Sequence, residues 1–87
     1  MSARYRRSPA AIWRSSTRLL VAAVPPNAPT RMSGSAALVW RHLADEIEFD
    51  RLVAVLAEET GVAAEQIGGD VQRLLDELVP LALVERR

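Results

Sequence analysis

The sequence predicts an α+β domain in which a three-stranded antiparallel sheet is followed by three helices (β-β-β-α-α-α). Three observations predict it. Residues 11–32 are short apolar runs broken by turn residues, Ser15-Ser16-Thr17 and Pro25-Pro26-Asn27, which is the punctuation of strands. From Ser33 onward the apolar residues recur near a period of 3.6. Gly61 separates two such amphipathic stretches, so the second and third helices read as a helix-turn-helix. A chain of 87 residues is one domain with a small core. It divides into a basic N-terminal arm, residues 1–10, and a single domain over 11–87.

The arm carries Arg4, Arg6 and Arg7 and then Ser8-Pro9; it reads as a flexible extension or the lead-in to a strand. The first strand is Ala11–Ser15, with Ile12 and Trp13. The second spans Arg18–Val24 and is apolar at six successive positions after the arginine, too short for a helix of its own. Its alternation is poor, so both faces are apolar, and the face away from the helices is either covered by the arm or left for a partner. The third strand is Ala28–Met32. Ser33 is the expected N-cap of the first helix, whose apolar set is Ala36, Ala37, Val39, Trp40 and Leu43. Asp45–Glu48 is read as a polar link. Phe49, Leu52, Val53, Leu56 and Ala57 form one stripe of the second helix, ended at Gly61 by a left-handed cap. The third helix starts at Ala63 or Ala64 and buries Ile67, Val71, Leu74, Leu75 and Leu78, although Gly68-Gly69 weakens its first turns. Pro80 marks its end or a kink, and Leu81–Val84 packs back as a short extended tail.

Charge is divided sharply. Residues 1–44 hold seven Arg and no acid, +7, whereas residues 45–87 hold four Arg and all eleven acids, −7, for a total of zero. A basic half raises nucleic-acid binding as a possibility. The third helix argues against it: residues 63–79 carry Glu65, Asp70, Asp76 and Glu77 against Arg73 alone, and a groove-reading helix needs cations and amides. Without cysteine there are no disulfides, thiolate metal sites or Cys nucleophiles. His42 is the sole histidine and reads as a boundary residue. No nucleophile elbow surrounds the serines and no phosphate loop is present. The expectation is a non-enzyme with no cofactor and no metal. No apolar run is long enough to span a bilayer and no signal peptide is read, so a cytoplasmic location is expected.

Met32-Ser33-Gly34-Ser35-Ala36-Ala37-Leu38-Val39-Trp40 resembles the PqqD-like family, the RiPP recognition elements, which tend to show Leu-Asn/Ser-Gly-Thr/Ser-Ala-x-x-Ile/Val-Trp where the third strand enters the first helix. Phe49-Asp50-Arg51-Leu52-Val53, Thr60-Gly61-Val62, Asp70-Val71 with Leu74-Leu75 and Leu78, and Leu81-Ala82-Leu83-Val84 follow in the family's order. The resemblance covers about residues 11–85. Ala82 stands where a Gly is usual, Pro80 sits just before it, and the link between the first two helices lacks its common Gly.

What the resemblance implies is a winged helix-turn-helix protein that binds the leader segment of a ribosomally made precursor peptide. The leader adds as a strand beside the third strand and packs in a groove against the third helix. As a free-standing chain it is most similar to the recognition proteins of lasso-peptide biosynthesis. Their partners are a leader peptidase, related to cysteine proteases and transglutaminases, and a macrolactam synthetase. A PqqD-type peptide chaperone is the alternative within the family; a winged-helix DNA-binding regulator and a protein-only adaptor are the alternatives outside it.

The residues expected to hold the leader follow. Ala28, Pro29, Thr30, Arg31 and Met32 form the strand, whose free N–H and C=O groups are a template for pairing unless Pro29 and Arg31 blunt the edge. Four to six backbone hydrogen bonds, each worth about 0.5–1.5 kcal/mol net, barely offset ordering a peptide, so side-chain pockets are needed. On the third helix Ile67, Val71 and Leu74 would take apolar side chains, and Asp70, Arg73 and Glu77 line one border of that face. Leu75 and Leu78 are assigned to the core, as is Trp40, while Trp13 is a candidate protein contact. Arg31 on one wall and the acids on the other would let the opposite charges cancel across the groove.

Overall fold

The computed structural model describes residues 3–87. Nine elements run in the order β1 (Arg4–Arg7), β2 (Ile12–Ser15), β3 (Leu20–Ala23), β4 (Thr30–Met32), α1 (Ser35–His42), β5 (Ile47–Glu48), α2 (Phe49–Thr60), α3 (Ala64–Leu78) and β6 (Val84–Arg86). The α+β class, the three-stranded antiparallel sheet and the three helices are present as expected. That sheet is β2-β3-β4. Cross-strand neighbours are Trp13, Ala22 and Thr30 in one row and Ser15, Leu20 and Met32 in another. Leu20, Ala22 and Met32 are buried, so those rows face the helices, and strand alternation turns Ile12, Arg14, Val21, Ala23 and Arg31 to the opposite face.

A second three-stranded sheet, β5-β1-β6, corrects the reading of the N-terminal segment. Met1 and Ser2 of the expected arm lie outside the described residues. Arg4–Arg7 is neither a flexible extension nor a cover for the other sheet; it is the central strand of this one. Arg4 and Tyr5 pair with Glu48 and Ile47 on one side, and Tyr5, Arg6 and Arg7 with Arg86, Glu85 and Val84 on the other. The expected polar link at 45–48 therefore contains a strand, and the tail expected at 81–84 becomes strand only at Val84 and runs on to Arg86. Tyr5 is the anchor: it is buried and meets Phe49 edge-on at 6.4 Å between ring centroids.

The helices form where the apolar stripes predicted them. α2 buries Leu52, Val53 and Leu56 and ends at Gly61, whose φ of 73° and N–H bond to the Ala57 carbonyl make the left-handed cap. α3 buries Ile67, Val71, Leu75 and Leu78. The α1 boundary shifts by one residue: Gly34, not Ser33, is the N-cap, with φ 58° and ψ −129°, a conformation open to glycine and strained for other residues. Trp40 is fully buried. Trp13 stands edge-on to it at 6.1 Å, and the Arg7 guanidinium lies 4.9 Å from one ring and 5.5 Å from the other. This cation–π stack ties β1 of one sheet to β2 of the other through α1.

After Leu78 the chain makes one more turn. The Ala82 N–H donates to the Val79 carbonyl and the Leu83 N–H to the Leu78 carbonyl, the paired bonds of a Schellman closure. Ala82 occupies its left-handed position with φ 62°. Pro80 thus sits inside the closing turn rather than causing a break.

Candidate functional site: a sheet edge leading into a helical groove

β4 is an edge strand, paired only with β3. It is shorter than the sequence predicted: Ala28 and Pro29 precede it, and the ladder covers Thr30–Met32. Pro29 therefore does not interrupt the pairing edge. The outer side of β4 carries no strand among the described residues, so its alternate N–H and C=O groups remain for another chain, enough for about two to four bonds. Met32 is 2% exposed and its side chain belongs to the core; its contribution at this edge is its backbone. Arg31 projects to the sheet's outer face and has no ion-pair partner among the described residues.

From β4 the chain passes through Ser33-Gly34 into α1, and α1 forms the near wall of a groove of about 230 Å³. Ser35, Ala36 and Val39 line this wall, Ile67, Asp70, Val71 and Leu74 of α3 the far wall, and Leu56, Thr60, Val62 and Gln66 the closed end. Seven of these eleven residues are apolar, so the groove suits an apolar side chain and places polar groups at its rim. The α2–α3 turn is fixed locally: the Thr60 hydroxyl donates to the Leu56 carbonyl at 2.7 Å and accepts from the Val62 N–H at 3.2 Å. That clamp holds Val62 at the groove's end.

On α3, then, the structure brings together Ile67, Asp70, Val71 and Leu74 of the predicted residues. Arg73 and Glu77 do not line the groove. Arg73 reaches back 3.7 Å to Asp70, three residues earlier on the same exposed face, and meets the groove through that pair. Leu75 and Leu78 are buried in the core, as assigned. By sequence alone the α1 and α2 residues of the groove belong to helix stripes or to the turn. A small apolar residue on a stripe can serve core and groove together, and periodicity alone does not separate the two.

The expected cancellation of charge across the groove is not seen. No contact joins Arg31 to the acids of α3; the two halves of the chain meet instead at the other sheet. There Arg6 Nε lies 2.6 Å from Glu85 Oε1, and Arg4 and Arg87 flank Glu46 at 3.5 and 3.6 Å. His42 is engaged with Glu59 at 2.8 Å, away from the groove.

Among the described residues no helix is long and apolar enough to cross a membrane, and no group of three or more His, Cys, Asp or Glu is placed to hold a metal ion. The family described as coenzyme PQQ synthesis protein D (PqqD) matches residues 24–84. The match holds β4, all three helices and every residue of the groove, and it is narrower than the 11–85 expected from the motifs. No curated protein and no solved structure matches the chain.

Proposed function

The chain belongs to the PqqD family, whose members are non-catalytic proteins that bind a precursor peptide and work with biosynthetic enzymes, and from that premise we propose that it is a leader-peptide recognition protein. The observation that carries this reading is the continuity of two binding features inside the matched region: the unpaired edge of β4 and the apolar groove that begins three residues after it. A leader strand would pair antiparallel with Thr30–Met32 and drop an apolar side chain between α1 and α3. Ile67, Val71 and Leu74 would contact that side chain, and the Asp70–Arg73 pair would bond polar groups at the rim. The winged helix-turn-helix reading belongs to the same proposal, with α3 serving a peptide; its acids would repel a nucleic-acid backbone.

In this reading the protein raises the local concentration of the precursor at its processing enzymes. The proposed pathway is that of a lasso peptide, whose recognition proteins the sequence resembles, with delivery to a leader peptidase and then a macrolactam synthetase. Titrating a fluorescently labelled cognate leader tests it. Saturable binding is expected, and Leu74→Ala, at a half-buried groove position, should weaken it by roughly tenfold, the equivalent of about 1.4 kcal/mol. Circular dichroism should stay native. No saturation by roughly 100 μM leader, a free energy of about 5.5 kcal/mol, would reject the reading, and an unchanged affinity in Leu74→Ala would move the site off α3.

A further inference from the structure

We propose that the outward face of β2-β3-β4 is a second binding surface, one that docks a partner protein presenting carboxylates around an apolar protrusion; resting on the recognition-protein reading above, it assigns that partner as the leader peptidase. The face is assembled by register. Ile12 lies beside Ala23, and Arg14, Val21 and Arg31 form one row across all three strands. Ile12 is 66% exposed. With Val21, Ala23 and Pro29 it forms a shallow apolar hollow of about 260 Å³. Nothing in the described chain covers it: the helices pack on the opposite face, and β1 belongs to the other sheet.

Charge selects the occupant. Arg14 and Arg31 stand on either side of Val21, and neither makes an ion pair among the described residues. The acids of residues 45–87 that form ion pairs do so with Arg4, Arg6, His42, Arg73 and Arg87, so a partner carrying carboxylates is the complement that this row lacks. A second copy docking by the same face would set Arg14 and Arg31 against their equivalents. Nucleic acid would bring phosphates onto an apolar centre with cations only at its sides, whereas an apolar centre with a charged rim is the anatomy of a protein interface. The face also lies apart from the peptide site. Ile12, Arg14, Val21 and Ala23 precede residue 24, where the family match begins, whereas Pro29 and Arg31 lie within it, so most of the surface belongs to the part of this chain that the family pattern does not describe. Peptide on the β4 edge and enzyme on the sheet face can be held together, with Arg31 marking the border between them.

A purified leader peptidase of the pathway proposed above is titrated calorimetrically into this chain saturated with labelled leader. Wild type should bind saturably, and more weakly as salt rises. Ile12→Glu and Arg14→Glu should each lower peptidase affinity at least tenfold while leader affinity stays within twofold of wild type. Both positions are exposed, and native circular dichroism with retained leader binding certifies the fold of each variant. Peptidase affinity equal to wild type in both variants overturns the proposal, as does a wild-type protein that binds leader but not peptidase. Sedimentation velocity and a duplex-DNA titration complete the test: a dimer dissolved by Ile12→Glu, or DNA binding lost in Arg14→Glu, would reassign the face and overturn the protein partner. Failure of wild type to bind leader would instead strike the recognition reading, which the peptidase titration does not measure.

Discussion

Both sheets are three-stranded and antiparallel, but they treat arginine differently. In β5-β1-β6 the arginines of the N-terminal half meet acids of the C-terminal half: Arg6 meets Glu85 at 2.6 Å, and Arg4 meets Glu46 at 3.5 Å. In β2-β3-β4 the arginines of the outer row meet none. The first sheet closes the two ends of the chain onto each other; its side chains are committed to folding. The second keeps one edge, one apolar face and its cations uncommitted. The +7 and −7 halves are thus partly neutralised where the two ends of the chain pair and left bare on the open sheet. Burial follows the same division. Tyr5 is sealed at the centre of one sheet, whereas all four residues of β2 are exposed.

The largest expected effect breaks the closed sheet. Tyr5→Ala removes a buried aromatic ring from the central strand and from its contact with Phe49, which should cost about 3 kcal/mol. In a domain of this size that lowers Tm by roughly 12–24 °C. Ile12→Ala, on the open sheet, should move stability by less than about 0.5 kcal/mol. Urea denaturation of both variants checks the contrast. Equal destabilisation would mean that the outer face of β2-β3-β4 supports the fold and is not kept free for contact.

Which parts were legible follows from the same division. The three helices announce themselves because each carries a local apolar stripe, as in Phe49, Leu52, Val53 and Leu56. The hairpin and β4 are bounded by serine and proline turns that act locally. β1 has one apolar residue among three arginines, β5 has two residues and β6 three. None is a strand on its own account, and β1 and β6 find each other from opposite ends of the chain. The signal present in the sequence is the complement of Arg4 and Arg6 by Glu46, Glu48 and Glu85, and it becomes readable only once the two segments are placed together. The groove divides likewise. Its α3 wall follows from a helical wheel, whereas its α1 wall, Ala36 and Val39, is indistinguishable from core until the packing is known.

A smaller effect tests the ion pairs. Arg6 and Glu85 are both about two-fifths exposed and so exchange water for each other only in part. Arg6→Ala should cost about 0.5–1 kcal/mol, less in high salt. Arg14→Ala, with no carboxylate to lose, should leave stability within about 0.5 kcal/mol of wild type. Thermal melts at low and high salt distinguish the two. A salt-sensitive loss at Arg14 equal to that at Arg6 would show that the open sheet also depends on charge for its stability.

The smallest expected change is a gain, and it concerns the turns that join each sheet to its helix. β4 of the open sheet passes into α1 through Gly34, which takes its positive φ of 58° without a side chain to clash. α3 passes into β6 of the closed sheet through Ala82, which takes a φ of 62° with a Cβ in place. A non-glycine residue in this region costs about 1–2 kcal/mol, and a glycine returns about 0.4–1 kcal/mol of that as extra freedom of the unfolded chain. Ala82→Gly should therefore stabilise by about 0.5 kcal/mol and raise Tm by roughly 2–4 °C. Ala82 is exposed, so little packing is lost with its methyl group. A fall in Tm would mean that the stiffness alanine gives the unfolded chain outweighs its strain in the turn, and that the closed sheet is reached through the better residue already.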